Sequence, residues 1–144
     1  MKIYLDNCCF NRPFDDQTSL VIRLETEAKL HVQELVRQGE FSLLWSFFLD
    51  YENGKNPYED VRNRIATWKS LAVAYCSLSY EIADKANKLM GLGLKEMDAS
   101  HIACAIYLGA ECFLTTDKGI LNKQIMEIEC LNPIDFIRRY CNEE

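Results

Sequence analysis

Residues 97–117 read MDASHIACAIYLGAECFLTTD, and this stretch decides the fold. Met97 to Leu108 is rich in alanine. Asp98, Ile102, Ala105 and Gly109 recur at steps of four, three and four, a line along one helical face. Cys112 to Thr115 is then a short apolar run that reads as a buried strand, and Asp117 follows its end. A helix feeding a buried strand that ends on an acid is a unit of an α/β sheet.

The same alternation runs outward in both directions. Ile3-Tyr4-Leu5 reads as a strand ending at Asp6, and Asn7 to Asp16 reads as a loop with Pro13 inside it. Val21, Leu24, Ala28, Val32 and Leu35 mark the inward stripe of a long helix that Gly39 stops. Phe41 to Trp45 is a second strand, and Ser46 opens a short helix that Asn53-Gly54 ends. Asn56-Pro57-x-Glu59 predicts a capped helix start, with Val61, Ile65, Trp68 and Ala72 facing inward. Val73 to Leu78 is a third strand, and Ser79 begins a helix with Ile82, Ala86 and Leu89 inward. Beyond Asp117, Lys118 to Gln124 is a short helix, Ile128 to Leu131 a fifth strand, and Asn132-Pro133-x-Asp135 the start of a last helix. Strands separated by helices imply a parallel sheet covered on both faces, with function at the carboxyl ends of its strands. No repeat or linker interrupts residues 1–144, which read as one domain.

Composition narrows the function classes. The 144 residues carry sixteen Lys+Arg against twenty-two Asp+Glu, a net charge of −6. Bulk attraction to nucleic acid or to an anionic membrane is excluded. A metal-dependent nuclease is not, because its site gathers carboxylates. The longest apolar stretch, Leu43 to Leu49, has seven residues, far short of the ~20 that span a bilayer. Seven scattered cysteines with no C-x-x-C give neither a zinc pattern nor a disulfide framework, so free thiols in a reducing cytoplasm are expected.

Asp6 and Asp117 both follow strands, so they emerge on one rim if those strands are central and parallel. Each alone also reads as an ordinary local residue, Asp6 as an Asx turn and Asp117 as a helix N-cap. Asp98 lies on the inward line of its helix, where an ionised carboxylate needs a cation or several donors. It is equally a favourable acid in a first helical turn. Glu52, in the last turn of the helix after the second strand, is the fourth candidate, with Asp50 its nearest competitor. His101 reads as a core or supporting residue, and Cys8-Cys9 as small residues packed under the loop.

Leu5-Asp6, Ser46-Phe47-Phe48-Leu49-Asp50-Tyr51-Glu52, Asp98-Ala99-Ser100-His101-Ile102-Ala103-Cys104-Ala105 and Leu114-Thr115-Thr116-Asp117, in that order, resemble the PIN-domain pattern. The resemblance extends from the first strand to Asn132-Pro133-Ile134-Asp135-Phe136. It implies a three-layer α/β/α sandwich with a central parallel sheet of order 3-2-1-4-5. It also implies a metal-dependent ribonuclease, in the manner of the VapC-type toxins of toxin–antitoxin pairs. By resemblance the metal-binding and catalytic acids are Asp6, Glu52, Asp98 and Asp117, and Thr116 supplies a hydroxyl that orders the site. Some relatives carry a further acid just after the last aspartate, where this chain has Lys118-Gly119.

Hard divalent cations such as Mg²⁺ and Mn²⁺ take carboxylate oxygens, and a coordinated water can then attack a phosphodiester. The expected reaction is endonucleolytic hydrolysis of single-stranded RNA, leaving by resemblance 5′-phosphate and 3′-hydroxyl ends. Lys118 and Arg12 are the backbone-phosphate candidates. An antitoxin protein and a second copy of the chain are the partners that the family suggests. The alternative is a binding module that keeps the fold, cleaves nothing and acts through a protein partner. A structure-specific DNA nuclease would need added helical arches for which 144 residues leave no room.

Overall fold

Ile3, Tyr4 and Leu5 have no solvent exposure, so the first strand is central and covered on both faces. The computed structural model describes residues 1–141. The last three residues of the span expected as one domain lie outside the described residues. In chain order the elements are β1 (Lys2–Leu5), α1 (Asn7–Asn11), a 3₁₀ turn (Arg12–Phe14), α2 (Leu20–Arg37), β2 (Ser42–Ser46), α3 (Phe47–Gly54) and α4 (Glu59–Thr67). A second 3₁₀ turn (Trp68–Leu71), β3 (Ala74–Cys76), α5 (Tyr80–Met90) and α6 (Glu96–Tyr107) follow. The chain continues with β4 (Cys112–Leu114), α7 (Lys118–Leu121), β5 (Glu129–Leu131) and α8 (Pro133–Tyr140).

All four strand pairings are parallel and the order is β3-β2-β1-β4-β5, as the resemblance implies. The buried runs Leu43–Trp45 and Cys112–Leu114 flank β1 in the register Tyr4↔Leu44 and Tyr4↔Phe113. Side chains alternate across a strand, so Tyr4 and Trp45 face opposite layers. Tyr4 meets His101 of α6, which packs with α5. Trp45 meets Phe10 of α1 on the other side, where α2 packs with α8. The order reverses between β1 and β4, the switch point where such sheets open a crevice at their carboxyl ends.

Several expectations shift. The third strand, expected over Val73 to Leu78, is Ala74–Cys76 with Val73 and Leu78 exposed beyond its ends, and the helix expected over Lys118 to Gln124 stops at Leu121. Residues 7–14 are helical because the Asp6 side chain accepts from the Asn7 N–H and Pro13 suits the first turn of a 3₁₀ segment. α4 begins at Glu59, since Asn56 Oδ1 accepts from the Tyr58 N–H and makes an Asx turn ahead of the helix. The buried face of α2 is rotated: Val21 and Leu24 are exposed, while Glu25, Ala28, Lys29, Val32, Gln33 and Val36 turn inward. The rotation follows from polar anchors. Arg12 Nε donates to Glu25 Oε1 at 2.9 Å, Asn132 holds the other oxygen, and Lys29 lies over the Phe10 ring. Gln38 caps α2, after which Gly39 takes φ +80°, a left-handed turn that a side chain would strain.

Candidate metal centre

Asp6 is the hub. It leaves β1 at the switch point, its N–H bound to Leu114 O of β4 at 2.8 Å, and its side chain is 5 % exposed. One carboxylate oxygen accepts from the Asn7 N–H. The other accepts from Thr115 Oγ1 at 2.8 Å and from the Cys8 thiol at 3.5 Å. Burial, aided by the charge of Glu52, holds the Asp6 carboxyl above its ordinary pKa, against the pull of His101 and the Thr115 hydroxyl.

Thr115 also accepts from the Asp117 N–H at 3.1 Å, an ST turn two residues long. One hydroxyl thus joins the ends of β1 and β4. This is the neighbour of Thr116, whose own N–H goes to Cys8 Sγ. Asp117 caps α7 by accepting from the Gly119 N–H at 2.7 Å. A Cβ at position 119 would lie 3.0 Å from Asp117 Oδ1, so glycine permits that approach.

Glu52 and Asp98 come from the helices that follow β2 and precede β4. Ser46 ends β2, and its hydroxyl accepts from the Leu49 N–H to start α3. One and a half turns on, Glu52 reaches the fully buried His101 of α6, whose Nε2 bonds Glu52 Oε1. His101 Nδ1 lies 2.6 Å from Tyr4 Oη, which lies 2.6 Å from Ser46 Oγ. If Nε2–H donates to the carboxylate, Nδ1 must accept from Tyr4 and Tyr4 from Ser46, so the chain of bonds has one consistent direction. Ligand atoms of Asp6, Glu52 and His101 lie within 4.8 Å of one another, and with both imidazole nitrogens engaged the two carboxylates are the members of that group open to a cation.

Asp98 sits in the first turn of α6, one helical turn before His101 and half-buried. Its carboxyl is pushed up to about 6 by burial and by the charges of Asp6, Asp117 and Glu52, with His101 opposing. The charges of the other three predicted acids therefore all reach Asp98, while of the four only Asp6 and Glu52 belong to the group whose ligand atoms lie within 4.8 Å of one another. Asp50, the competitor of Glu52, serves elsewhere: Trp45 Nε1, Lys69 Nζ and Tyr75 Oη all donate to it.

Two predicted cations divide. Lys118 is exposed at the start of α7, directly after Asp117. Arg12 is corrected: its guanidinium is engaged by Asp15 at 2.7 Å and by the buried Glu25, so it fastens the 3₁₀ turn to α2 and offers no free charge to a phosphate. Sequence reading missed the roles of Thr115 and Tyr4. The Thr-x-Asp spacing of an ST turn signals Thr115, whereas the Tyr4–His101 contact depends on the register of separate elements.

Among the described residues no helix is long and apolar enough to cross a membrane. A family model described as PIN domain matches residues 3–125. A comparison with curated protein sequences finds no match. Among solved structures, FitAcB from Neisseria gonorrhoeae superposes with a TM-score of 0.60 at 13 % identity, covering 91 % of this chain and 97 % of that one. VapBC2 from Rickettsia felis, bound to a DNA fragment from its promoter, gives 0.59 at 12 % identity, covering 92 % and 98 %. VapBC-1 from nontypeable Haemophilus influenzae gives 0.53 at 17 % identity, also covering 92 % and 98 %.

Proposed function

The chain belongs to the PIN-domain family, whose members are largely nucleases, and from that premise we propose a metal-dependent endoribonuclease that hydrolyses single-stranded RNA. The observation that carries this reading is Asp98, a carboxyl raised to about 6 by its partial burial and by three neighbouring acids. Such crowding is relieved by a proton or by a divalent cation. Asp6, Asp98 and Asp117 would hold Mg²⁺ or Mn²⁺ directly or through water, with Glu52 as a ligand or as the orienter of the attacking water. A cation bound there supplies charge neutralisation at the phosphate and acidifies a water.

The chain's own groups prepare that event. The Thr115 hydroxyl fixes one oxygen of Asp6 and the Asn7 N–H the other, so Asp6 presents its remaining lone pairs in a set direction. His101 holds one oxygen of Glu52 and leaves the second free to accept a proton from water. Thr116 would support the turn through its backbone, and Lys118 would meet a phosphate at the rim. We further propose a cytoplasmic protein partnered by an antitoxin, as in the VapBC pairs that it resembles in fold, and able to form a homodimer.

The test is cleavage of labelled single-stranded RNA with Mn²⁺, Mg²⁺ or EDTA, comparing wild type with Asp98→Asn. Metal-dependent cutting that falls at least about 100-fold in the variant is expected. Cutting that persists in Asp98→Asn, or in EDTA, would overturn the assignment.

A further inference from the structure

We propose that the cleft of about 560 Å³ beside Glu52 seats one unpaired base of the bound strand by stacking. The inference rests on the nucleic-acid reading of the adjoining acids and adds how a chain of net charge −6 holds an anionic strand.

The cleft adjoins the acid cluster. Glu52 lines both, and Asn7, which also lines the cleft, donates its N–H to Asp6. A strand with its reacting phosphate at the acids therefore meets this cleft within a nucleotide. The cleft volume falls in the ordinary range for small-ligand sites. Its apolar surface comes from Phe14, Pro57, Tyr58 and Val61, and two of its rings are left in water, Tyr58 at 70 % and Phe14 at 42 % exposure. Rings so placed are stacking surfaces for a base, whatever its identity.

Charge and hydrogen bonding point the same way. Arg12 is engaged by Asp15 and Glu25, Lys69 by Asp50, and Lys85 by Glu127, which leaves Lys55 as the cation on the cleft wall. Lys55 lies over the Tyr51 ring at 4.2 Å, and Tyr51 stacks with Phe47, so aromatic surface continues along the exposed side of α3. Two of the three amides at the cleft are engaged, while Asn7 Oδ1 is buried without a partner among the described residues. Asn56 Nδ2 donates to Asn11 Oδ1, Asn56 Oδ1 accepts from the Tyr58 N–H, and Asn11 Nδ2 donates to Asn7 O. Stacking on the exposed Tyr58 and Phe14 rings carries the binding.

The experiment uses Asp98→Asn protein with Mn²⁺ and single-stranded RNA pentamers carrying 2-aminopurine at each position in turn. Quenching at one position is expected. Tyr58→Ala in that background should weaken binding about tenfold, and Tyr58→Phe should restore it. The dependence of log affinity on log salt should be shallow, near −1.4 for two phosphate contacts to a single strand. In the cleaving protein, Tyr58→Ala should raise KM about tenfold and leave kcat unchanged. Tyr58 is so exposed that its replacement leaves the fold intact. Equal binding by pentamers with an abasic site at that position, or no loss in Tyr58→Ala, would overturn the proposal. So would a folded protein that binds no pentamer, and the cleft would then be left for a protein segment. Tyr58-dependent quenching without cleavage by wild type would sink the nuclease reading and keep the base site. Cleavage indifferent to Tyr58 would do the reverse.

Discussion

Asp98 shows what partial burial and three neighbouring acids do to one residue. Its carboxyl titrates at about 6 in the metal-free protein, against roughly 3.9 in an unfolded chain. Between those values the folded state binds more protons than the unfolded state, so this group's contribution to stability falls as pH rises through the window. Asp98→Asn removes the repulsion without removing the shape. In EDTA its melting temperature should exceed that of wild type above pH 6, and the two should converge toward pH 4. Thermal unfolding from pH 4 to pH 8 reads this directly, and a difference independent of pH would refute the electrostatic account. The magnitude will be smaller than two pKa units imply, because the group is only half-buried and water screens its neighbours.

At the scale of elements, Arg12 decides how α2 lies. Periodicity alone places Val21 and Leu24 inward with Glu25 and Lys29 in solvent, and the reverse is found. A pattern counts apolar side chains but not a guanidinium thirteen positions before Glu25 that binds it beneath the helix. Arg12→Met would leave the Glu25 carboxylate 4 % exposed with Asn132 but without its cation, and should cost about 3 kcal/mol. Denaturant unfolding measures it. A loss under about 1 kcal/mol would mark an ordinary surface pair and return Arg12 to the phosphate candidates. The strands were legible for the opposite reason: Ile3–Leu5, Leu43–Trp45 and Cys112–Leu114 are apolar without interruption because helices cover both faces. Asp6 and Asp117 were legible because they follow those runs. Thr115 and the Tyr4–His101–Glu52 contact were not, since they join side chains across β1, β4, α3 and α6 whose relative placement no local pattern carries.

Across the whole molecule, the sheet order gathers residues 6, 52, 98 and 117 at one rim, and the helices stacked on its two faces hold them there. That arrangement opposes folding while the acids are bare and favours it once a cation joins them. A ligand bound only by the folded state adds about 2.7 kcal/mol at a concentration one hundred times its Kd, or roughly 10 °C for a chain of this size. Mn²⁺ should therefore raise the melting temperature of wild type at pH 7.5 in a saturable way. Sodium chloride at equal ionic strength should give only the small shift expected from screening. In Asp6→Asn the Mn²⁺ shift should shrink toward that screening value, because Asp6 is the buried acid on which the other elements converge. A shift that survives in Asp6→Asn, or one that salt reproduces, would mean that the acids share charge but no ion. The rim would then be a surface for a partner's cations, and catalysis would have to be sought elsewhere.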